Sequence, residues 1–264
     1  MRAVLLLAAS LAWAADPKAS LIFHANFDKS TDAVKASGDP KLYSAPSYKD
    51  LSTAKPGLAG TDVSLAPGQG RKGGALYFAK KNTPAVFYKA TGNLSNNANG
   101  TLSFWLNLTP ETDLDPVYCD PIQLTGFAYN DSAIWVDFTK DEKPRYFRLG
   151  VFGKKAEWSG GVEGPAQTPI FEKRLVVEKQ HPFQRGKWTH IAITYSGLGT
   201  PNGQASLYLN GKLIGNSPTI PESFNWDGAT LRLGVNYTGY FDDLAVYSRP
   251  LNAQEIQQLS QGKF

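Results

Sequence analysis

The residues of this sequence best placed to do chemistry lie in two stretches, Ala133–Thr139 (AIWVDFT) and Tyr146–Phe152 (YFRLGVF). Apolar and other side chains alternate in both, the period of a strand that rests one face on a core. With Ile134, Val136 and Phe138 inward, Trp135, Asp137 and Thr139 point outward. With Phe147, Leu149 and Val151 inward, Tyr146, Arg148 and Phe152 do the same. Trp135, Asp137, Tyr146 and Arg148 are therefore the candidate ligand-binding set. An aromatic can stack on a sugar ring, and Asp and Arg can bond vicinal hydroxyls or a uronate. A plainer use of the same residues makes Asp137 and Arg148 an ordinary cross-strand pair and lays the segment 154–179 over the aromatics.

Other chemistry is scarce. The sequence holds no G-x-S-x-G elbow, no H-E-x-x-H, no Walker loop and no EF-hand loop. Its three histidines, His24, His181 and His190, show no metal-ligand spacing. His190 alternates with Ile191 inside a strand pattern, a structural position. The single cysteine, Cys119, rules out an internal disulfide and reads as a small buried apolar residue. A net charge of +4, with Lys and Arg scattered among carboxylates, gives no reason to expect a nucleic-acid partner.

The elements that must position these residues are strands. Thr189–Tyr195 alternates, a Gly-rich loop follows, and Leu207 and Leu209 share one face of the next run. That run ends at Asn210-Gly211, suited to the two φ > 0 positions of a type I′ turn, and Leu213 and Ile214 start the return. Further strands are expected at Leu21–Phe27, Val63–Leu65, Leu76–Phe78, Ala85–Tyr88, Gly100–Leu108, Pro121–Thr125, Leu231–Asn236 and Phe241–Tyr247. Pro110–Pro121 reads as an acidic loop. Lys154–Lys179 reads as an insertion with few signals beyond Leu175–Val177. Asn252 and Glu255 have capping-box spacing, with Leu251 and Ile256 placed for a hydrophobic staple, so a short helix should close the chain.

Four motifs carry a resemblance: WTHIAITY at 188–195, LYLNGK at 207–212, GGALYF at 73–78 and FDDLAVYSRPLNAQEI at 241–256. Together they resemble the laminin-G-like family of pentraxin and concanavalin-A-like jelly rolls. The resemblance implies an all-β fold, a two-sheet antiparallel β-sandwich with a short C-terminal helix, across residues 20–260. In such a jelly roll the middle strands belong to the curved sheet, whose concave face Trp135, Asp137, Tyr146 and Arg148 would line. It also implies a structural calcium ion joining the first strand to the last. Asp242 of FDDLAVY would be one ligand and Asp28, or Asn26, its N-terminal partner; carbonyls and water would supply the rest of the 6–8 oxygens calcium needs. Without an ion, Asp28 and Asp242 would hydrogen-bond turn amides.

Enzymes of the same fold leave weaker traces. Laminarinase-type jelly rolls carry E-x-D-x-x-E on one strand. The nearest string, ETDLDP at Glu111–Pro116, has Pro116 where the second glutamate belongs and falls in a loop. Tyr146–Phe152 is similar to the YFKAGVY strand of jelly-roll alginate lyases, but the R-x-E-x-R and Q-x-H strands that accompany it are missing. The expected function is thus an exported, non-catalytic binding module for a carbohydrate or an extracellular protein ligand. The alternatives are a glycan-active hydrolase or lyase with unfamiliar catalytic residues and a structural module of a surface assembly. A carboxylate pair on adjacent strands would favour the enzyme, and none is legible.

Export is expected from residues 1–14. Arg2 precedes the short apolar run Ala3–Ala12, and Ala12-Trp13-Ala14 is an A-x-A cleavage site. The run is shorter than the ~20 apolar residues of a membrane helix. The expectation is a secreted or periplasmic chain, cleaved near Ala14, with one domain over 15–264 and no membrane span.

Overall fold

Asn210 and Gly211 take φ of 49° and 82°, the two left-handed positions of a type I′ turn. The strands Gln204–Leu209 and Lys212–Asn216 close antiparallel on that turn. A Cβ on Gly211 would sit 2.6 Å from Ser260 Oγ and 3.1 Å from Gln257 Cα, so both conformation and space call for glycine. The computed structural model describes residues 16–95 and 98–263. The expected targeting segment at 1–14 lies outside the described residues.

Two antiparallel sheets build the molecule. One has nine strands, in the order Lys212–Asn216, Gln204–Leu209, Thr189–Ser196, Gly100–Asn107, Gly239–Tyr247, Leu21–Ala25 and Lys35–Ala36. Ala75–Phe78 pairs with its Gly239–Tyr247 strand, and Val63–Ala66 with Ala75–Phe78. The other has eight, in the order Val176–Glu178, Phe147–Phe152, Ala133–Phe138, Cys119–Thr125, Thr230–Val235, Ala85–Lys89, Leu42–Ala45 and Lys55–Pro56. The expected β-sandwich is thus the fold. Phe104, Ile191, Ile193 and Leu207 of the first sheet and Ile134, Val136, Leu149 and Leu231 of the second share one fully buried core. Burying side chains of this size stabilises by roughly 1.5–3 kcal/mol each before the cost of ordering the chain.

The C-terminal helix, Ala253–Ser260, starts at the expected capping box: Asn252 Oδ1 accepts from the Glu255 amide at 2.9 Å and Glu255 Oε2 from the Asn252 amide at 2.8 Å. Leu251 and Ile256 are buried against Ala192, Tyr208, Ala245 and Tyr247, on the side of the nine-stranded sheet away from the core.

Several segments depart from the sequence expectation. Pro110–Pro121 is not a plain loop. Pro110–Asp113 forms one helical turn, with Asp113 Oδ2 accepting the Thr109 amide at 2.7 Å, and a strand already begins at Cys119. Residues 29–75 hold four short strands, two of them only two residues long and hence without a readable period. The segment 154–179 is ordered into helical turns at Lys155–Trp158, Gly164–Gln167 and Thr168–Glu172 and a strand, Val176–Glu178, that extends the eight-stranded sheet. No helix among the described residues is long and apolar enough to cross a membrane.

Candidate functional site

The alternation expected in the two middle strands holds. Ile134, Val136, Phe138, Phe147, Leu149 and Val151 enter the main core. Trp135 and Phe152 belong to a separate apolar cluster on the opposite face of the sheet. On that face lies a cavity of about 510 Å³. Trp135, Asp137 and Arg148 line it, as do Asp120 and Gln123 of the neighbouring strand Cys119–Thr125. Tyr118 and Tyr129 form its rim, and Gln167, Phe171 and Glu172 enter from the 154–179 segment.

Tyr146 is not brought to this cavity. It precedes the Phe147–Phe152 strand, and its ring lies 5.2 Å from Lys179 Nζ. Trp135 is at the cavity but is no open platform, being only 2% exposed. Phe171 stacks over its indole at 6.1 Å with an interplanar angle of 19°, and Tyr129 meets its edge at 6.5 Å. Gly150, opposite Trp135 in the register, makes room for the ring: a Cβ there would lie 2.2 Å from the indole Cζ2. The indole N–H donates to Tyr129 O at 2.5 Å and so fixes the Tyr129 loop. The segment 154–179 therefore covers the tryptophan, and the aromatic side chains left exposed at the rim are Tyr118, 43% exposed, and Tyr129, 51% exposed.

Asp137 and Arg148 do form a cross-strand pair. Arg148 Nε donates to Oδ1 at 2.8 Å and Nη2 to Oδ2 at 2.5 Å, a bidentate arrangement with both partners largely buried. The guanidinium also lies over the Tyr118 ring at 5.0 Å. Asp120, on the adjacent strand, is 8% exposed, and its Oδ2 accepts from Gln123 Nε2. Burial, helped by the Asp137 charge, pushes the Asp120 carboxyl up to about 8. Burial also raises Asp137, against the pull of Arg148. Of the two carboxyls, the one without the guanidinium holds the proton at neutral pH, and Asp137 carries the charge. A carboxylate pair on adjacent strands thus exists although the sequence does not show it.

Tyr118 is set in place by residues whose role was not legible. Arg145, 7% exposed, donates from Nη1 and Nη2 to the carbonyls of Leu114, Asp115, Val117 and Thr139, which pins the strand entry. Asn236 Nδ2 donates to Tyr118 O at 3.1 Å. Cys119 behind this loop is fully buried, and burial pushes its thiol up to about 12, so it does no thiolate chemistry.

The expected metal residues are close enough for the Asp28 charge to act on Asp242. Asp242, fully buried, accepts the amides of Arg71 and Asp243, each at 2.7 Å. Asp28 accepts the Gly74 amide at 3.1 Å and the Asn26 side-chain amide at 2.7 Å. The carboxylates therefore do the amide-bonding work that needs no ion, and among the described residues no three His, Cys, Asp or Glu side chains gather as a metal set. One feature fits a hard cation: burial, with the neighbouring Asp243 and Asp28, pushes Asp242 up to about 8, a strain a positive ion would relieve.

Residues 81–257 match the family described as the concanavalin A-like lectin/glucanases superfamily. No curated protein matches the chain. Among solved structures it is similar to domain 4 of AbnA, a GH43 extracellular arabinanase from Geobacillus stearothermophilus, in complex with arabinotriose. The likeness has a TM-score of 0.59 at 17% identity and covers 92% of this chain and 98% of that one. It is also similar to the binding domain of Paraclostridial Mosquitocidal Protein 1 (TM-score 0.57, 15% identity, 94% of this chain and 53% of that one). A third is the binding domain of Botulinum neurotoxin DC in complex with rat synaptotagmin II (TM-score 0.56, 11% identity, 92% and 52%). The chain spans about half of each toxin domain and nearly all of the arabinanase domain. At these identities the likeness is one of fold. With a family match over more than half its length and two antiparallel sheets closed on one core, the chain belongs to the concanavalin A-like lectin/glucanases superfamily.

Proposed function

We propose that the chain is an exported binding module that takes a carbohydrate in the cavity on the open face of the eight-stranded sheet. The observation that carries this is the grouping of two exposed tyrosines, Tyr118 and Tyr129, around the buried Arg148–Asp137 pair. Tyrosine faces accept the apolar side of a sugar ring, and the charged pair with neutral Asp120 offers directional donors and acceptors at its edge. A related fold that holds arabinotriose lends support. One that holds a protein receptor keeps a protein ligand as the competing binding partner.

A hydrolase is the second reading, favoured by Asp120 and Asp137 on adjacent strands. Against it, both oxygens of Asp137 are held by Arg148, so the charged carboxylate of the pair is not free to attack or to activate water. A calcium ion between Asp28 and Asp242 is a further proposal, supported by the burial of Asp242 among carboxylates.

The test is a glycan array on the mature chain, followed by calorimetry on the hits. Tyr118→Ala and Tyr129→Ala should each weaken binding about tenfold, since aromatic anchors in such sites typically contribute more than ~1 kcal/mol. Wild-type affinity in both variants would remove the site. Release of reducing ends from a bound glycan, lost in Asp120→Asn, would replace the binding module with the enzyme.

A further inference from the structure

The nine-stranded sheet has a second built cavity on its face away from the core, beside the C-terminal helix. Its volume is about 350 Å³. Three neighbouring strands turn Ser103, Trp105, His190 and Asp243 into it, and Arg71 and Lys35 close its sides. Part of its floor is buried and polar. His190 is fully buried, and Ser103 is 4% exposed. The His190 Nε2 lies 2.9 Å from Ser103 Oγ, while its Nδ1 is buried with no hydrogen-bond partner among the described residues. A buried ring nitrogen without a partner is costly and calls for an explanation, and a ligand in the cavity supplies one.

The charge around that nitrogen defines what the ligand is. Arg71 lies over Trp105, its Cζ 4.6 Å from the ring centroid. Its Nε and Nη2 both bond one oxygen of Asp243, at 3.2 and 3.1 Å, and His24 Nε2 bonds the other at 3.2 Å. Among the described residues Asp243 is the sole carboxylate on the lining, against Arg71, Lys35 and Lys18. The excess is positive. Burial drives His190 down to about 3, so the ring is neutral at physiological pH and carries one proton. When the Ser103 hydroxyl donates to Nε2, that proton is on Nδ1, which has no partner among the described residues.

We propose that this cavity is a second ligand site, separate from the tyrosine-rimmed one, for a small molecule of monosaccharide size bearing an oxyanion. Arg71 and Lys35 supply the charge, His190 Nδ1 a neutral donor, and Trp105 the apolar wall. A carboxylate and a sulfate or phosphate ester present the same oxygens to such a site.

The experiment titrates the full mature chain, its histidines ¹⁵N-labelled, with glucuronate, glucose 6-sulfate, glucose 6-phosphate and glucose, by calorimetry and imidazole NMR. At least one charged sugar should bind tenfold or more tighter than glucose, weaken as salt rises, and shift the His190 ring nitrogens. Which one binds distinguishes a carboxylate from a sulfate or phosphate source. Lys35→Ala, at an exposed strand position that the fold does not need, should cost about tenfold, and Arg71→Gln more. Tyr118→Ala should leave this binding unchanged, so the outcome stands apart from that of the proposed carbohydrate site. Should Arg71→Gln fail to fold, Lys35→Ala decides alone. The proposal is overturned if no charged sugar outbinds glucose, if Lys35→Ala binds like wild type, or if Tyr118→Ala abolishes the binding.

Discussion

Replacing Arg148 by methionine tests the electrostatics of the open face most directly. Methionine keeps the apolar stem and removes the guanidinium, leaving Asp137, 3% exposed, without its two charge-assisted bonds. Breaking one side of a buried ion pair typically costs 3–5 kcal/mol. Here the loss has a ceiling, because an unpaired buried carboxylate can take a proton instead. Protonating a carboxyl of ordinary pKa, about 3.9, costs about 1.4 kcal/mol per pH unit, or about 4 kcal/mol at pH 7 and about 1.5 at pH 5.

The sign follows from linkage. In the variant the folded-state pKa of Asp137 rises well above its unfolded value, so between the two the folded state binds the extra proton. Its stability, full below the unfolded pKa, is lost as pH rises. Wild type also loses some stability as pH rises, through Asp120, which burial and the Asp137 charge hold at about 8, and through Asp137, which burial raises against the pull of Arg148. The difference between the proteins is therefore the quantity to read. Urea denaturation at pH 5, 6 and 7 should show Arg148→Met falling further behind wild type by about 1 kcal/mol per unit. Asp137→Asn in the same background should flatten that trend. An equal deficit at pH 5 and pH 7 would mean that Asp137 is not held charged by Arg148, and the account of the cavity's electrostatics would fail.

Three further outcomes are expected. Gly211→Val places a β-branched residue at φ 82° and against Ser260 and Gln257, so denaturation should report a loss of about 1–3 kcal/mol; an unchanged midpoint would refute the type I′ turn. Phe171→Ala removes the ring stacked on Trp135 and Phe152, at 6.1 and 4.7 Å, so acrylamide quenching should rise, and the rise should vanish in a Trp135→Phe background. Unaltered quenching would mean that another group covers the indole. If calcium joins Asp28 to Asp242, chelator should lower the melting temperature of wild type by mass action and leave Asp242→Ala, already low, unmoved. Superimposable wild-type curves with and without calcium would remove the ion.

The parts of this molecule that the sequence displays are those in which the chemistry is local. Asn210-Gly211 needs only its own backbone to make a turn, and Asn252 and Glu255 cap a helix from three residues apart. The period of Ala133–Phe138 tells which side chains leave the core, and Trp135 and Asp137 do. Period says nothing of what lies over them. Phe171 reaches Trp135 from a helical turn of five residues, too short for a 3.6-residue pattern to register. Tyr118 and Tyr129, the exposed aromatics of the candidate site, belong to loops; Arg145 and Asn236, distant in the chain, set the course of the first, and the Trp135 indole that of the second. Asp120 was hidden for a different reason. It precedes Pro121, which breaks a strand pattern because it lacks an amide donor and reads as a boundary. In the structure Pro121 lies inside Cys119–Thr125, where the register against Ala133–Phe138 shifts between Val136 and Phe138. That irregularity accommodates the proline within a central strand, carries the strand back to Cys119, and brings Asp120 to the cavity beside Asp137. The carboxyl pair at the cavity thus depends on a bulge, and a strand pattern read with period two cannot contain one.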